Sequence, residues 1–159
     1  MEIKIGKIED KDVRKTKQFC LSIFDEMKWN KRFAYGLENL KKSFSKPREI
    51  FLIAKDGEEI IGCAGLKELS KIEALMKRLY IAKRFRGKGL ASLMFEIIKE
   101  FAREKNYKRI VLDVHHNNLR AKKFYQKCGF LEFSPIPNEH WLESKHPEIY
   151  EFRKLDLKT

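Results

Sequence analysis

The order of patterns between positions 73 and 114 constrains this 159-residue chain more than anything else in it. A strand-like run, Glu73-Ala74-Leu75-Met76-Lys77-Arg78-Leu79-Tyr80-Ile81, leads into the turn Arg84-Phe85-Arg86-Gly87-Lys88-Gly89-Leu90-Ala91. A helix follows, because Leu90, Leu93, Met94, Ile97, Ile98 and Phe101 recur on one face of a 3.6-residue period, and that face must be buried. The run Arg109-Ile110-Val111-Leu112-Asp113-Val114 then reads as a strand covered on both sides. Strand, turn, helix and strand in this order make a right-handed crossover between parallel neighbours. The glycine turn then lies at the carboxyl edge of a sheet, where open α/β sheets collect ligands.

The turn has the chemistry of an anion site. Two glycines let backbone pass close to a ligand, and the helix behind them presents unpaired N–H groups and its positive dipole end. Arg84, Arg86 and Lys88 add charge beside those donors. Two nucleotide motifs are absent: a dinucleotide fingerprint from Gly87 would need glycine where Ser92 stands, and no Gly-Lys-Ser or Gly-Lys-Thr of a P-loop occurs.

Arg86-Gly87-Lys88-Gly89-Leu90-Ala91 resembles the acyl-CoA signature of the GNAT superfamily of N-acetyltransferases: Arg or Gln, two residues, Gly, one residue, Gly or Ala. The frame beginning at Arg84 also fits, but the later one aligns Lys77 through Ala91 without a gap with the family's fourth strand, pyrophosphate loop and third helix. A second segment, from Asn118 through Ala121, Phe124-Tyr125 and Gly129-Phe130, is similar to the family's segment after strand five. Its residues agree independently: Asn118 suits an N-cap, Ala121, Phe124, Tyr125 and Cys128 share a helical face, and Gly129 suits a left-handed stop. The resemblance implies an α/β GNAT fold. Its sheet is mixed and mostly antiparallel, with six or seven strands, a splayed parallel pair of fourth and fifth strands, and about four flanking helices.

Composition agrees with one domain over residues 1–159. The 43% hydrophobic content with 12 Phe is ample for a core. No run is long and apolar enough to span a membrane, and Met1-Glu2-Ile3-Lys4-Ile5 reads as strand rather than signal, so a cytoplasmic location is expected. Cys20, Cys63 and Cys128 have no paired spacing, which argues against disulfides and structural zinc. His140 and His146, with Glu143 between them, lack the HExxH spacing, so no metal is expected. A net charge of +12 is spread through every segment and reads as a solvated basic surface. A nucleic-acid-binding module is the alternative it raises, and that reading leaves both motifs unexplained. Glu132, Glu139, Glu143, Glu148 and Glu151, opposed only by Lys145, form an acidic stretch by sequence.

Elsewhere, Ile3 to Ile8 reads as a strand, and Asp10 as the cap of a helix with Val13, Cys20, Ile23, Phe24 and Met27 on one side. Leu37, Leu40 and Phe44 suggest a short helix stopped near Pro47. Glu49 to Lys55 and Glu59 to Leu69 flank the hairpin signal Asp56-Gly57. Phe130 to Phe133 restarts as strand, Ser134 to Pro147 reads as a long loop, and Ile149 to Leu157 as a last strand.

By resemblance, the co-substrate is acetyl-CoA and the acceptor an amine. The resemblance has backbone N–H groups along Leu79-Tyr80-Ile81 holding the pantetheine arm and the carbonyl, and Arg86, Gly87, Lys88, Gly89, Leu90 and Ala91 holding the pyrophosphate. Asn118 then reaches the coenzyme's middle portion. Tyr125 matches the position of the family's acid for the leaving thiolate. An alkyl ammonium of pKa about 10.4 must lose a proton before it attacks. Glu73 is the first candidate base, although relatives carry a glutamate nearer the position of Leu75, and His115 and His116 are the alternatives. A coenzyme-binding sensor without turnover is a second reading. The acceptor cleft falls to Trp29, Phe33, Tyr35 and the segment from Ser134 to Pro147, whose acidic residues suggest a small cationic amine, with a peptide amino terminus as the other option. Many members of that family dimerise through their sheets, which makes a homodimer an expectation of the resemblance.

Overall fold

The computed structural model describes residues 2–158. Seven strands form one sheet: β1 (Ile3–Lys7), β2 (Ile50–Asp56), β3 (Glu59–Glu68), β4 (Glu73–Ile81), β5 (Arg109–His115), β6 (Leu131–Glu132) and β7 (Tyr150–Asp156), in the order β1-β2-β3-β4-β5-β7-β6. Every pairing is antiparallel except β4 with β5, which is parallel. Four helices flank it: α1 (Val13–Met27), α2 (Leu40–Ser43), α3 (Leu90–Glu104) and α4 (Leu119–Lys127). This is the GNAT fold with the β4/β5 arrangement that the resemblance implied. None of the described helices is long and apolar enough to cross a membrane.

Local chemistry explains most boundaries, and two expectations shift. The first helix does not start on a cap at Asp10. Asp10–Asp12 is a separate turn of 3-10 helix, closed by the Glu9 N–H donating to Asp12 Oδ2 at 3.1 Å, and α1 begins at Val13. The segment before β7 is not all loop, because Leu142–Lys145 winds a further 3-10 turn.

The α3 face also turns from its expected position. Leu90, Met94, Phe95, Ile98 and Ala102 are buried, whereas Leu93 and Ile97 are 55% and 36% exposed. The sheet receives the i, i+4, i+8 and i+12 row with Phe95 beside it, so Leu93 and Ile97 fall on the outer margin. That core, with Ile61, Leu66, Ala74, Ile110 and Leu112 of the sheet, fixes the position of the helix's amino end.

One irregularity in β4 matters for the site. Gly65 lies opposite Lys77 and Cys63 opposite Tyr80, so Ala64 alone faces both Arg78 and Leu79, a β-bulge. Arg78 takes φ of 60°, a left-handed value that costs a non-glycine residue about 1–2 kcal/mol. Its guanidinium donates to the carbonyls of Phe33 and Tyr35, each at 2.9 Å, which holds the bulge against that cost.

Candidate active site

β4 and β5 pair only at Glu73 with Arg109, Ala74 with Ile110 and Leu75 with Val111. Beyond Leu75 they part, and a cleft of about 840 Å³ opens between the end of β4, the turn before α3, and α4. Leu79, Tyr80, Ile81, Arg86, Gly87, Gly89, Leu90, Ala91, Asn118 and Tyr125 all line it. Ala82 N–H donates to Ile61 on the β3 side at 2.8 Å. By strand alternation the N–H groups of Ile81 and Leu79 therefore face the opening.

Gly87 and Gly89 have φ of 75° and 87°, and a Cβ built on either would meet nothing within 4 Å. Glycine is thus required by the backbone conformation, with free space left above the turn. Gly89 is the N-cap of α3, and no side chain caps that helix. Its first-turn N–H groups, at Leu90, Ala91 and Ser92, point at the cleft mouth as donors for an anion. Arg86 is committed elsewhere: Nε donates to the Ile81 carbonyl and Nη2 to Glu26 of α1, both at 2.9 Å. Arg84 pairs with Glu59 at 2.6 Å. The anion site is accordingly a main-chain site first, with Arg86 acting as its brace.

Across the cleft, Tyr125 on α4 is buried, and its hydroxyl has no hydrogen-bond partner among the described residues. It is also absent from the enclosed unpartnered atoms, which among the described residues include only Arg109 Nε, so it reaches the open space. Burial raises its pKa far above the ordinary phenol value, with the Asp113 charge adding to the effect, so it stays a donor at neutral pH. Asn118 caps α4 by accepting from the Ala121 N–H at 3.2 Å while lining the cleft. Trp29 is fixed at the junction, its Nε1 donating to Asn117 at 2.9 Å and its ring stacked on His115 at 5.7 Å.

Behind Tyr125 the cleft runs into a smaller cavity of about 70 Å³, with Trp29, Leu79, Tyr80, Asn118, Ala121 and Tyr125 shared between the two. Its inner wall is charged. Lys77 donates to Glu143 Oε1 at 2.9 Å and to the Tyr35 hydroxyl, which itself donates to Glu143 Oε1 at 2.5 Å. Burial works to raise the Glu143 pKa, but Lys77 and Tyr35 hold it below the usual carboxylate value. Asp113 differs. Its Oδ2 accepts from Trp141 Nε1 at 2.8 Å, while among the described residues Oδ1 has no partner and is not enclosed. Burial, and then the Glu143 charge, push Asp113 up to about 6. Burial likewise lowers the His115 pKa, assisted by His116, so that ring is neutral at pH 7.

The model for the acetyltransferase (GNAT) family matches residues 15–130. This chain belongs to the GNAT family. Among curated relatives, human N-acetyltransferase 8B is 28% identical over 100 residues, 59% of this chain, and the chain spans 44% of that relative's length. Among solved structures, a GNAT-family acetyltransferase of Staphylococcus aureus superposes with a TM-score of 0.82 at 23% identity, covering 99% of this chain and 100% of the other. The PaiA N-acetyltransferase of Thermoplasma acidophilum, solved in complex with coenzyme A, superposes at 0.76 with 19% identity, covering 98% and 99%.

Within this GNAT chain, the residues expected to hold the coenzyme line one cleft except Lys88, whose Nζ lies over the Phe85 ring at 5.8 Å, and the expected base does not reach it. Glu73 sits at the amino end of β4, paired with Arg109 at 3.4 Å, and lines neither the cleft nor the cavity. The fork opens at the other end of the strand, so Glu73 is replaced as a candidate by Asp113. His116 turns outward to the Pro147 carbonyl at 3.0 Å. The acidic stretch largely dissolves into pairs: Glu143 with Lys77, Glu148 with His146, and Glu132 and Glu151 with Arg153. Asp113 carried a usable signal in the sequence, as a charge inside the apolar run Ile110 to Val114, which persists only when paired or functional.

Proposed function

We propose that this GNAT chain is an acetyl-CoA-dependent N-acetyltransferase that moves the acetyl group directly to a primary amine of a small molecule or peptide. The observation that carries the reading is the uncapped amino end of α3 behind two positive-φ glycines, opening on the same cleft as the free Tyr125 hydroxyl. A diphosphate fits that mouth by charge and by donor count. The open-side N–H groups of Leu79 and Ile81 match a pantetheine arm laid along β4 and the carbonyl at its end.

The acceptor arrives as an ammonium, and the free Asp113 oxygen takes its proton, directly or through one water. With a pKa of about 6, Asp113 is ionised at neutral pH and still basic enough to serve. The amine nitrogen attacks the thioester carbon, and the oxyanion that forms is met by preorganised main-chain donors. As the C–S bond breaks, the nitrogen gives up its second proton, which reaches the departing sulfur through water, while Tyr125 donates a hydrogen bond to that thiolate. Because the phenol pKa lies above the thiol value of about 8.5, stabilisation of the sulfur by that bond carries the step.

Calorimetry with acetyl-CoA, followed by a thiol-release assay across primary amines, tests the reading. Micromolar binding and acceptor-dependent thiol release are expected. Absence of acetyl-CoA binding by the folded protein would refute it.

A further inference from the structure

We infer that the acceptor is a compact primary amine rather than a peptide, because two loops are tied to each other beside a small acceptor cavity and hold its charged inner wall in place. This rests on the acetyltransferase reading and narrows it. One loop lies between α1 and α2, the other between β6 and β7. Tyr35 of the first donates to Glu143 of the second at 2.5 Å, and Arg32 Nη2 lies 2.8 Å from His146 Nε2. Phe33 packs edge-on against both His146 and Tyr150, with centroids 5.4 and 5.2 Å away.

The second loop is itself held in place. Asn138 N–H donates to Ser144 Oγ at 2.9 Å, and Trp141, 1% exposed, is pinned to Asp113. The bridge also stands on a buried base, since the side chains of Lys77 and Glu143 are 6% and 3% exposed.

The space left is about 70 Å³. A water-sized group needs about 10–15 Å³, so the cavity has room for about five to seven. An amino-terminal residue of a peptide spends about five atoms on its own backbone and Cβ, which leaves little of that space for a second residue. An ammonium on a short apolar stem fits. Asp113 offers one free carboxylate oxygen, and the rings of Trp29, Phe33, Tyr80 and Tyr150 offer apolar walls with cation–π attraction for the charged head.

The test measures kcat/KM for n-butylamine, n-octylamine and a short peptide with a free amino terminus, using acetyl-CoA, thiol release and product mass. Wild-type protein should prefer n-butylamine to the peptide by at least about tenfold. Tyr35→Ala removes the bridge but keeps the Lys77–Glu143 pair, and should raise the octylamine-to-butylamine ratio by about tenfold or more. Peptide turnover equal to or above that of butylamine overturns the inference while leaving the acetyltransferase reading intact. So does an unchanged ratio in a Tyr35→Ala protein that keeps its acetyl-CoA affinity. Should Tyr35→Ala fail to fold, Arg32→Ala, at an exposed position, takes its place with the same two outcomes. Bound acetyl-CoA with no thiol release for any of the three amines would overturn both readings.

Discussion

Replacing Asp113 by asparagine should make the protein more stable at neutral pH and much less active. The asparagine carbonyl keeps the acceptor for Trp141 Nε1, so the geometry survives and only the charge is removed. Folding lifts the Asp113 pKa from 3.8 to about 6, and a difference of about 2 corresponds to about 3 kcal/mol. The sign follows from linkage. The folded state binds the proton more tightly than the unfolded chain, so this contribution is present in full below pH 3.8 and is lost as pH rises through about 6.

Wild type should therefore weaken relative to Asp113→Asn as pH increases, with about 1.4 kcal/mol of the change falling between pH 5 and pH 8. For a chain of this length that is a relative shift in Tm of about 3–6 °C. Urea unfolding of both proteins at the two pH values measures it. In parallel, kcat/KM at pH 8 should fall by about 10²–10⁴-fold, and the wild-type profile should lose activity below an apparent pKa near 6. A stability difference that does not change with pH, or a variant within threefold of wild-type kcat/KM, would refute both the burial of the charge and its role as base.

Other perturbations separate the remaining parts. Tyr125→Phe should lower kcat by about 10–100-fold with little change in KM for acetyl-CoA or in Tm, since the hydroxyl has no protein partner to lose; steady-state kinetics and a melting curve check it. Gly89→Ala should cost about 1–2 kcal/mol through φ of 87° and weaken acetyl-CoA binding at least about tenfold by calorimetry. Because the added Cβ meets no protein atom, the affinity loss reports on ligand approach. Lys77→Met strands Glu143 in the interior and should destabilise by about 3–5 kcal/mol, with Lys77→Met/Glu143→Gln recovering at least half in urea unfolding.

The lining of the β4/β5 cleft was legible in the sequence because its signals are local. The turn Arg86 to Ala91 and the segment from Asn118 to Phe130 each carry their donors, glycines and helix face within a few residues, so spacing alone places them. The acceptor side is built from contacts between distant segments. Lys77 meets Glu143 across 66 positions and Asp113 meets Trp141 across 28, and no periodicity links them. Glu73 lies on the right strand, but a strand has two ends, and only the β4/β5 pairing register decides which end opens. The acidic stretch before β7 misled for a related reason: formal charges count equally in a sequence, whereas in the fold most of them are spent on a neighbour.

The bulge at Arg78 has a further consequence. One guanidinium reaches from the strand edge beside the β4/β5 cleft to the carbonyls of residues 33 and 35 in the loop after α1. A single side chain thereby acts as a ruler, setting the distance between the bulged strand and the loop that carries residues 33 and 35. Loop sequence is then free to vary in what it admits, provided its backbone keeps that grip.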